Sequence, residues 1–481
     1  MQPTGLRQSF SSCTEDVLIE ILSMLSQKDL HALVFVNRRF RALAESILYR
    51  DIEWVWTEDQ TPPIGLFLRT ILSRPEIPLM IRKVLLVGGK DFYAQGPYVL
   101  GGVPNISTEG LDLERALQFI DSTMVHFAGE WKNELIHGSM DAFVALLLAH
   151  SPGITHLVLG KNFSKNTRLV GMLFGVVSCM TDLHYNLIPD FSYLRQAHFK
   201  PGLDAGAMHG SKTSYVLPFF HLPQLQAFSA GFDNPITLNW PTTSPFTSTI
   251  TSLDIKEIRE SVLIDVLSVT PKLKSLRWEW MYDVNHDHET HIPIIDLDKI
   301  NTALSMVRST LQRLTITAWC GLSGNEFAWL DIRGSLNGLH DFREMTDLRL
   351  PLVFLATFSP SNSIDISCLI PSSVQSLTLT DHLYPQDAWS SYEQDVVFQF
   401  EWSVADITGL IQSLLGNWKF SQPRLTSVTL LITEMCNEWE DHDEQTLSIL
   451  GETHGLKVEV INTGTDYPAN IVLADLIGYK D

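Results

Sequence analysis

A six-residue pattern, one apolar residue, two polar ones and then apolar–x–apolar, returns along most of this 481-residue chain. Its apolar positions are Ile81, Val84 and Leu86; Ile154, Leu157 and Leu159; Ile250, Leu253 and Ile255; Leu273, Leu276 and Trp278. They recur at Leu311, Leu314 and Ile316; Met345, Leu348 and Leu350; Val374, Leu377 and Leu379; and Leu425, Val428 and Leu430. Leu222 with Leu225, and Leu456 with Val458 and Val460, are weaker relatives. Alternation of this kind predicts short strands with one buried face. Several gaps between copies (250 to 273, 311 to 345, 345 to 374) match the period of repeat architectures. Helical runs over residues 142–149, 261–267, 300–307, 407–415 and 446–450 feed directly into the next strand. The predicted fold class is therefore α/β, with strands and helices alternating along a parallel sheet stacked as a solenoid. An ordinary open α/β sheet is the alternative, but no glycine-rich nucleotide turn follows any strand.

The alternation resembles irregular leucine-rich repeats, by period more than by consensus, because the asparagine expected shortly after each strand is mostly absent. The resemblance implies a stacked horseshoe whose concave face is lined by the polar strand residues. Those residues are Asp254 and Lys256, Arg277 and Glu279, Arg313, Thr315 and Thr317, Asp347 and Arg349, Thr378 and Thr380, and Lys457 and Glu459. Carrying both charge signs, they are candidates for binding a protein substrate; polarity for solubility alone is the competing explanation. Trp278 falls on the apolar side of its strand, whereas Trp319, near a strand end, is a candidate exposed anchor.

Ahead of the repeats, Thr14 to Tyr49 carries three apolar runs at helical spacing: Val17, Leu18, Ile21, Leu22 and Leu25; Leu30, Leu33 and Val34; Phe40, Leu43 and Ile47. Thr14 before Glu15 and Asp16, and Ser26 three residues before Asp29, are helix-start signals. A unit of about forty residues buries too little surface to be stable alone, so it must lean on a partner or on the rest of the chain. A strand–helix–strand reading, at residues 52–56, 66–72 and 81–87, follows without a linker and predicts that the three helices dock on the first repeat.

These residues also resemble an F-box of the kind common in fungal proteins. The resemblance rests on Asp16-Val17-Leu18, Ile21-Leu22 and Leu25; on Lys28-Asp29-Leu30; on Val36-Asn37-Arg38-Arg39-Phe40-Arg41 with Leu43-Ala44; and on Leu48-Tyr49-Arg50. Cys13-Thr14 stands where the family usually has Leu-Pro. The resemblance implies a tail over residues 1–11, an F-box over 12–50 and the repeat region, with long loop insertions, over 51–481. It also implies binding to a Skp-family adaptor and, through it, a cullin, in an SCF-type ubiquitin ligase whose repeats hold a protein substrate. The implied adaptor contacts are Val17, Leu18, Ile21, Leu22, Leu25, Leu30, Leu33, Val36, Phe40 and Leu43, some of which must instead pack against one another. The competing reading is a non-ligase binding scaffold in which the helices only cap the repeats.

Composition narrows the classes. An apolar share of 45% with 19% charged residues suits a globular chain. The net charge of −21 is uneven: residues 1–50 hold six basic against five acidic side chains, leaving −22 on the remainder. No basic patch stands out, so neither nucleic acid nor an anionic membrane is an expected partner. The polar first ten residues and the lack of a long apolar stretch predict a soluble protein of the cytoplasm or nucleus. Five scattered cysteines without CxxC spacing fit a reducing compartment.

Chemistry-bearing motifs are sparse. Gly88-Gly89-Lys90 lacks the spacing of a phosphate loop, and the glycines around Ser335 do not form a nucleophile elbow. His286, Asp287, His288, Glu289 and His291 could in principle hold a metal, but a solvated loop is the expectation. Neither a cofactor nor catalysis is expected. The acidic run over residues 438–444 reads as a solvated helix start.

Overall fold

A computed structural model of the protein describes residues 13–57, 60–88, 105–160, 163, 167–178, 187–199, 212–242, 245–283, 292–321, 330–360, 365–384, 400–432 and 438–462. The chain divides into two compact units, Met1–His209 and Gly210–Asp481. Residues 286–291 lie outside the described residues.

The first unit opens with three helices, α1 (Glu15–Ser23), α2 (Gln27–Leu33) and α3 (Arg38–Leu48). Strands β1 (Asp51–Trp56), β2 (Lys83–Gly88), β3 (His156–Leu159) and β4 (Gln196–Phe199) then pair in parallel, with Asp51, Lys83, His156 and Gln196 in one register row. Between them run α4 (Ile64–Ser73), α5 (Leu113–Ser122), α6 (Ala128–Ile136), α7 (Met140–Ala149) and α8 (Arg168–Ser178). Every residue of α7 is buried, which is why its sequence is apolar all round rather than on one stripe. Its Asp141 carboxylate accepts from the amides of Leu169 (2.6 Å) and Val170 (3.2 Å), capping α8 from outside that helix. Burial pushes this carboxyl up to about 7.

The second unit starts with α9 (Lys212–Val216) and continues with β5 (Ala227–Gly231), β6 (Ser252–Lys256), α10 (Glu260–Ser268) and β7 (Ser275–Asp283). Next come β8 (Ile294–Asp296), α11 (Leu297–Ser305), β9 (Arg313–Gly321), β10 (Asp331–Arg333), β11 (Asp347–Pro351) and α12 (Leu352–Ala356). The last elements are β12 (Ser376–Thr380), α13 (Val404–Ser421), β13 (Ser427–Ile432), α14 (Asp441–His454) and β14 (Lys457–Asn462). Its main sheet is parallel in the order β5-β6-β7-β9-β11-β12-β13-β14, while β8 and β10 form a separate pair. The predicted α/β class, three N-terminal helices followed by a parallel sheet of alternating strands and helices, is the observed one.

The recurring pattern has a physical basis in each strand. Its leading apolar residue lies just before the strand and is buried at every copy, from Ile81, Ile154 and Ile250 to Met345, Val374 and Leu425. The next two apolar positions point to the same side, as in the alternating burial of β13. Between the leading residue and the strand sits a residue whose carbonyl accepts two successive amides of the next copy. In the second unit Gln226 accepts from Thr251 and Ser252, Thr251 from Lys274 and Ser275, and Lys274 from Gln312 and Arg313. Gln312, Thr346 and Gln375 continue the series at 2.8–3.2 Å. Threonine recurs there because its hydroxyl adds a third bond to the same acceptor: Thr251 to Gln226 (3.2 Å), Thr346 to Gln312 (3.2 Å) and Thr426 to Gln375 (2.8 Å). These bonds tie successive strands together.

Three features differ from the sequence expectation. Strand β4 is not among the strands expected from the sequence; Leu194, Ala197 and Phe199 keep the pattern, but alanine at its centre hides it. In the second unit, 3-10 turns at Leu217–His221, Asn337–Asp341 and Ile366–Cys368 lie between strands, the first and last beside the short helices α9 and α12. The β8–β10 pair had no signal beyond Ile294, Ile295 and Ile332. The acidic run over residues 438–444 is the start of α14, with Glu440 and Asp443 forming a reciprocal cap.

Candidate partner-binding surfaces

The N-terminal helices explain their own motif residue by residue. Ser26 Oγ accepts from the Asp29 amide at 3.2 Å and Asn37 Oδ1 from the Phe40 amide at 2.9 Å, so each begins a helix. Arg39 Nη2 donates to the Cys13 carbonyl at 2.7 Å, joining α3 to the start of α1. The contact uses a backbone oxygen, which any residue at position 13 supplies, whatever its side chain. Thr14 precedes α1 without a side-chain cap bond.

Leu18, Leu22, Leu30, Leu43 and Ala44 form the core of this unit, with Leu33, Phe40, Ile47 and Leu48 partly buried against it. The ten expected adaptor contacts therefore divide by burial. Leu18, Leu22, Leu30 and Leu43 hold the helices together; Leu33 and Phe40 are intermediate; Val17, Ile21, Leu25 and Val36 remain exposed. Two larger exposed apolar side chains escaped the sequence reading: Met24 at 78% and Phe35 at 77% exposure. Val17, Ile21, Met24 and Leu25 follow helical spacing along α1 and its end, so they share one side. Phe35 and Val36 project from the turn between α2 and α3, where the His31 ring meets the Phe35 edge at 5.3 Å.

The end of α3 also contacts the strand and helix that follow it. Buried Glu45 receives two bonds from Arg74, at 3.0 and 2.9 Å, and one from Arg41 at 3.1 Å. The Arg74 hydrogen bonds, above all, hold the Glu45 carboxyl below its usual range, more than offsetting the opposing effect of burial. Tyr49 packs near Phe67 of α4, with ring centres 6.1 Å apart, and Trp54 of β1 meets the same ring at 5.4 Å. The Arg50 carbonyl accepts from Arg82 and Lys83, as the equivalent carbonyls of the repeats do.

In the second unit, the expected substrate-facing residues occupy register rows on the side of the sheet opposite the core. One row runs through Ser252, Ser275, Arg313, Asp347, Ser376, Ser427 and Lys457. The next runs through Ser229, Asp254, Arg277, Thr315, Arg349, Thr378, Thr429 and Glu459. Lys256 and Glu279, beyond that row, pair at 2.9 Å. Arg277 Nε lies 3.9 Å from Asp254, which also accepts from Ser229 Oγ at 3.1 Å. At the far end Glu459 accepts from Thr429 Oγ1 at 3.3 Å and lies 2.5 Å from Lys457. Asp254, Thr317 and Thr380 are buried, whereas Arg313, Asp347 and Lys457 are exposed. Trp319 is 42% exposed on the polar side of β9, opposite Met281, whereas Trp278 is fully buried.

Among the described residues no helix is long and apolar enough to cross a membrane. A comparison of the whole chain with curated proteins found no match. Residues 15–53, the three helices and the first residues of β1, match the family model described as F-box-like.

Proposed function

We propose that the protein is the substrate-recognition subunit of an SCF-type cullin–RING ubiquitin ligase. The observation that carries this reading is the F-box-like match over helices that leave Val17, Ile21, Met24, Leu25, Phe35 and Val36 outside their own core. Exposed apolar side chains concentrated on one small unit fit a protein partner; the match supports a Skp-family adaptor as that partner, with a cullin beyond it. The F-box is read as the fungal type, and the polar sheet face of the second unit, built on irregular leucine-rich-repeat-like strands, then holds the protein substrate, with Trp319 as an apolar anchor. The protein contributes binding and positioning, and the ubiquitin chemistry belongs to the other subunits.

Co-purification of the intact chain with a Skp-family adaptor and a cullin tests the reading. The adaptor is expected to be retained by the wild type and lost from a Met24→Asp, Phe35→Asp variant, which keeps the helix core. Failure of the intact chain to retain the adaptor, or equal retention by the variant, would leave a binding scaffold whose helices only cap the first repeat.

A further inference from the structure

Strand β14 is the last of the second unit's main sheet and, among the described residues, pairs on one side only, with β13. The Lys457 amide donates to the Thr426 carbonyl at 3.1 Å, so Lys457, Glu459 and Ile461 turn their backbone groups toward β13. By alternation Val458 and Val460 turn theirs outward, and such a row of donors and acceptors is a pairing edge. Side chains are uncovered there too. In the register row Leu350, Leu379, Leu430 and Val460, the first three are buried and Val460 is partly exposed. On the other face of the strand Ile461 is exposed. The edge therefore lacks apolar cover on both faces.

Residues 463–481 follow β14 in the chain and lie outside the described residues. Within them Ile471-Val472-Leu473 is apolar at successive positions, hence apolar on both faces of an extended strand, which matches an edge open on both faces. The β-branched Ile471 and Val472 favour the extended state, and Gly464, Asp466 and Pro468 ahead of them are turn formers. A parallel return needs a crossover of about a dozen residues or more, longer than the stretch 463–470, so the return is antiparallel. A second copy of the chain is the weaker occupant. Each copy carries a net charge of −21 and like charges repel, whereas an attached segment acts at an effective concentration on the order of millimolar.

We propose that residues 471–475 add to the edge of β14 as an antiparallel strand, with Ile471 opposite Ile461, Val472 opposite Val460 and Asp475 opposite Lys457. This register sets an apolar pair on each face and gives exposed Lys457 a neighbour of opposite charge. Val460 and Val472 then exchange backbone hydrogen bonds, while Ile461 and Ile471 form a non-hydrogen-bonded pair. The added strand shields the edge from association with other chains. It does not depend on which partners the helices and the polar face bind.

Hydrogen exchange in the full chain, read by mass spectrometry over residues 457–462 at low and high protein concentration, tests the pairing. The Val458 and Val460 amides are expected to exchange about tenfold more slowly in the wild type than in Val472→Pro. A backbone hydrogen bond is worth up to about that factor, and proline has no N–H to give the Val460 carbonyl. Val472→Ile should keep the protection. In an Ile461→Cys, Ile471→Cys variant, mild oxidation should join the two positions within one chain, as mapped by peptide mass, because a non-hydrogen-bonded pair approaches to about 4.5 Å between Cα atoms. Equal exchange in the wild type and Val472→Pro would overturn the proposal, as would absence of that disulfide or its formation between chains. Protection that rises with protein concentration would assign the edge to a second copy and overturn it as well.

Discussion

The N-terminal helices and the polar face of the second unit are both candidate partner surfaces, built in opposite ways. On the helices, Met24 and Phe35 are large apolar side chains about three-quarters exposed, and covering them with a partner is favourable through the hydrophobic effect. On the sheet, Lys256 with Glu279, Arg277 with Asp254 and Lys457 with Glu459 already have ionic neighbours. A ligand there must exchange bonds rather than make new ones, so charge arrangement governs selectivity more than strength. The difference teaches that one surface is suited to a constant partner and the other to discrimination among partners.

Changing the helix core should give the largest effect. Leu18→Ala or Leu22→Ala is expected to cost about 2–5 kcal/mol within this unit, whereas Val17→Ala, next to Leu18 but exposed, should change stability by about 0.5 kcal/mol or less. Chemical denaturation followed by hydrogen exchange in residues 15–48 distinguishes them; equal losses would show that the exposed and core positions have been misassigned. Second in size is the Glu45–Arg74 bridge, where Glu45→Ala should cost about 1.5–3 kcal/mol, the range of hydrogen bonds to charged groups. Because the folded-state pKa of Glu45 is lowered, its stabilisation is present above the unfolded value near 4.3 and is lost as pH falls through the lower folded value. The wild type should therefore lose more stability on acidification than a Glu45→Gln variant, as read from thermal unfolding between pH 6 and 3. The smallest expected effect is at the sheet face: Lys256→Gln or Arg313→Gln should leave stability within about 1 kcal/mol, and a larger loss would mean that the face is structural rather than available for binding.

Much of the architecture is legible in the sequence because burial imposes period. The leading residues from Ile81 to Leu425 stand out as a repeated spacing, and all are buried. Strand β4 is hidden because Ala197 contributes too little apolar signal, although it sits between buried Leu194 and Phe199. The 3-10 turn at Leu217–His221, with Pro218, Phe219 and Phe220 buried, carries no helical period for sequence reading to detect.

At the candidate adaptor surface, spacing marks the apolar residues but does not sort them. Whether Leu22 or Leu25 faces inward depends on where α3 lies across α1, which spacing alone does not encode. Met24 and Phe35 escape notice because the apolar runs read from the sequence do not include them, and both are exposed. On the sheet the reverse holds: strict alternation along each strand is enough to place Asp254, Arg277, Thr315 and Arg349 on the polar side. The joining of Arg277 and Arg349 to Thr315 requires the strand order, because β8 and β10 intervene in sequence but not in the main sheet.

The most direct measurement is calorimetric titration of the full chain with a purified Skp-family adaptor at several temperatures. Saturable binding with a negative heat-capacity change is expected, because apolar surface leaves water. Binding should be abolished in the Met24→Asp, Phe35→Asp variant and unchanged in Arg313→Gln. Absence of binding by the wild type, or undiminished binding by the Met24→Asp, Phe35→Asp variant, would contradict the assignment of the exposed helix surface to the adaptor.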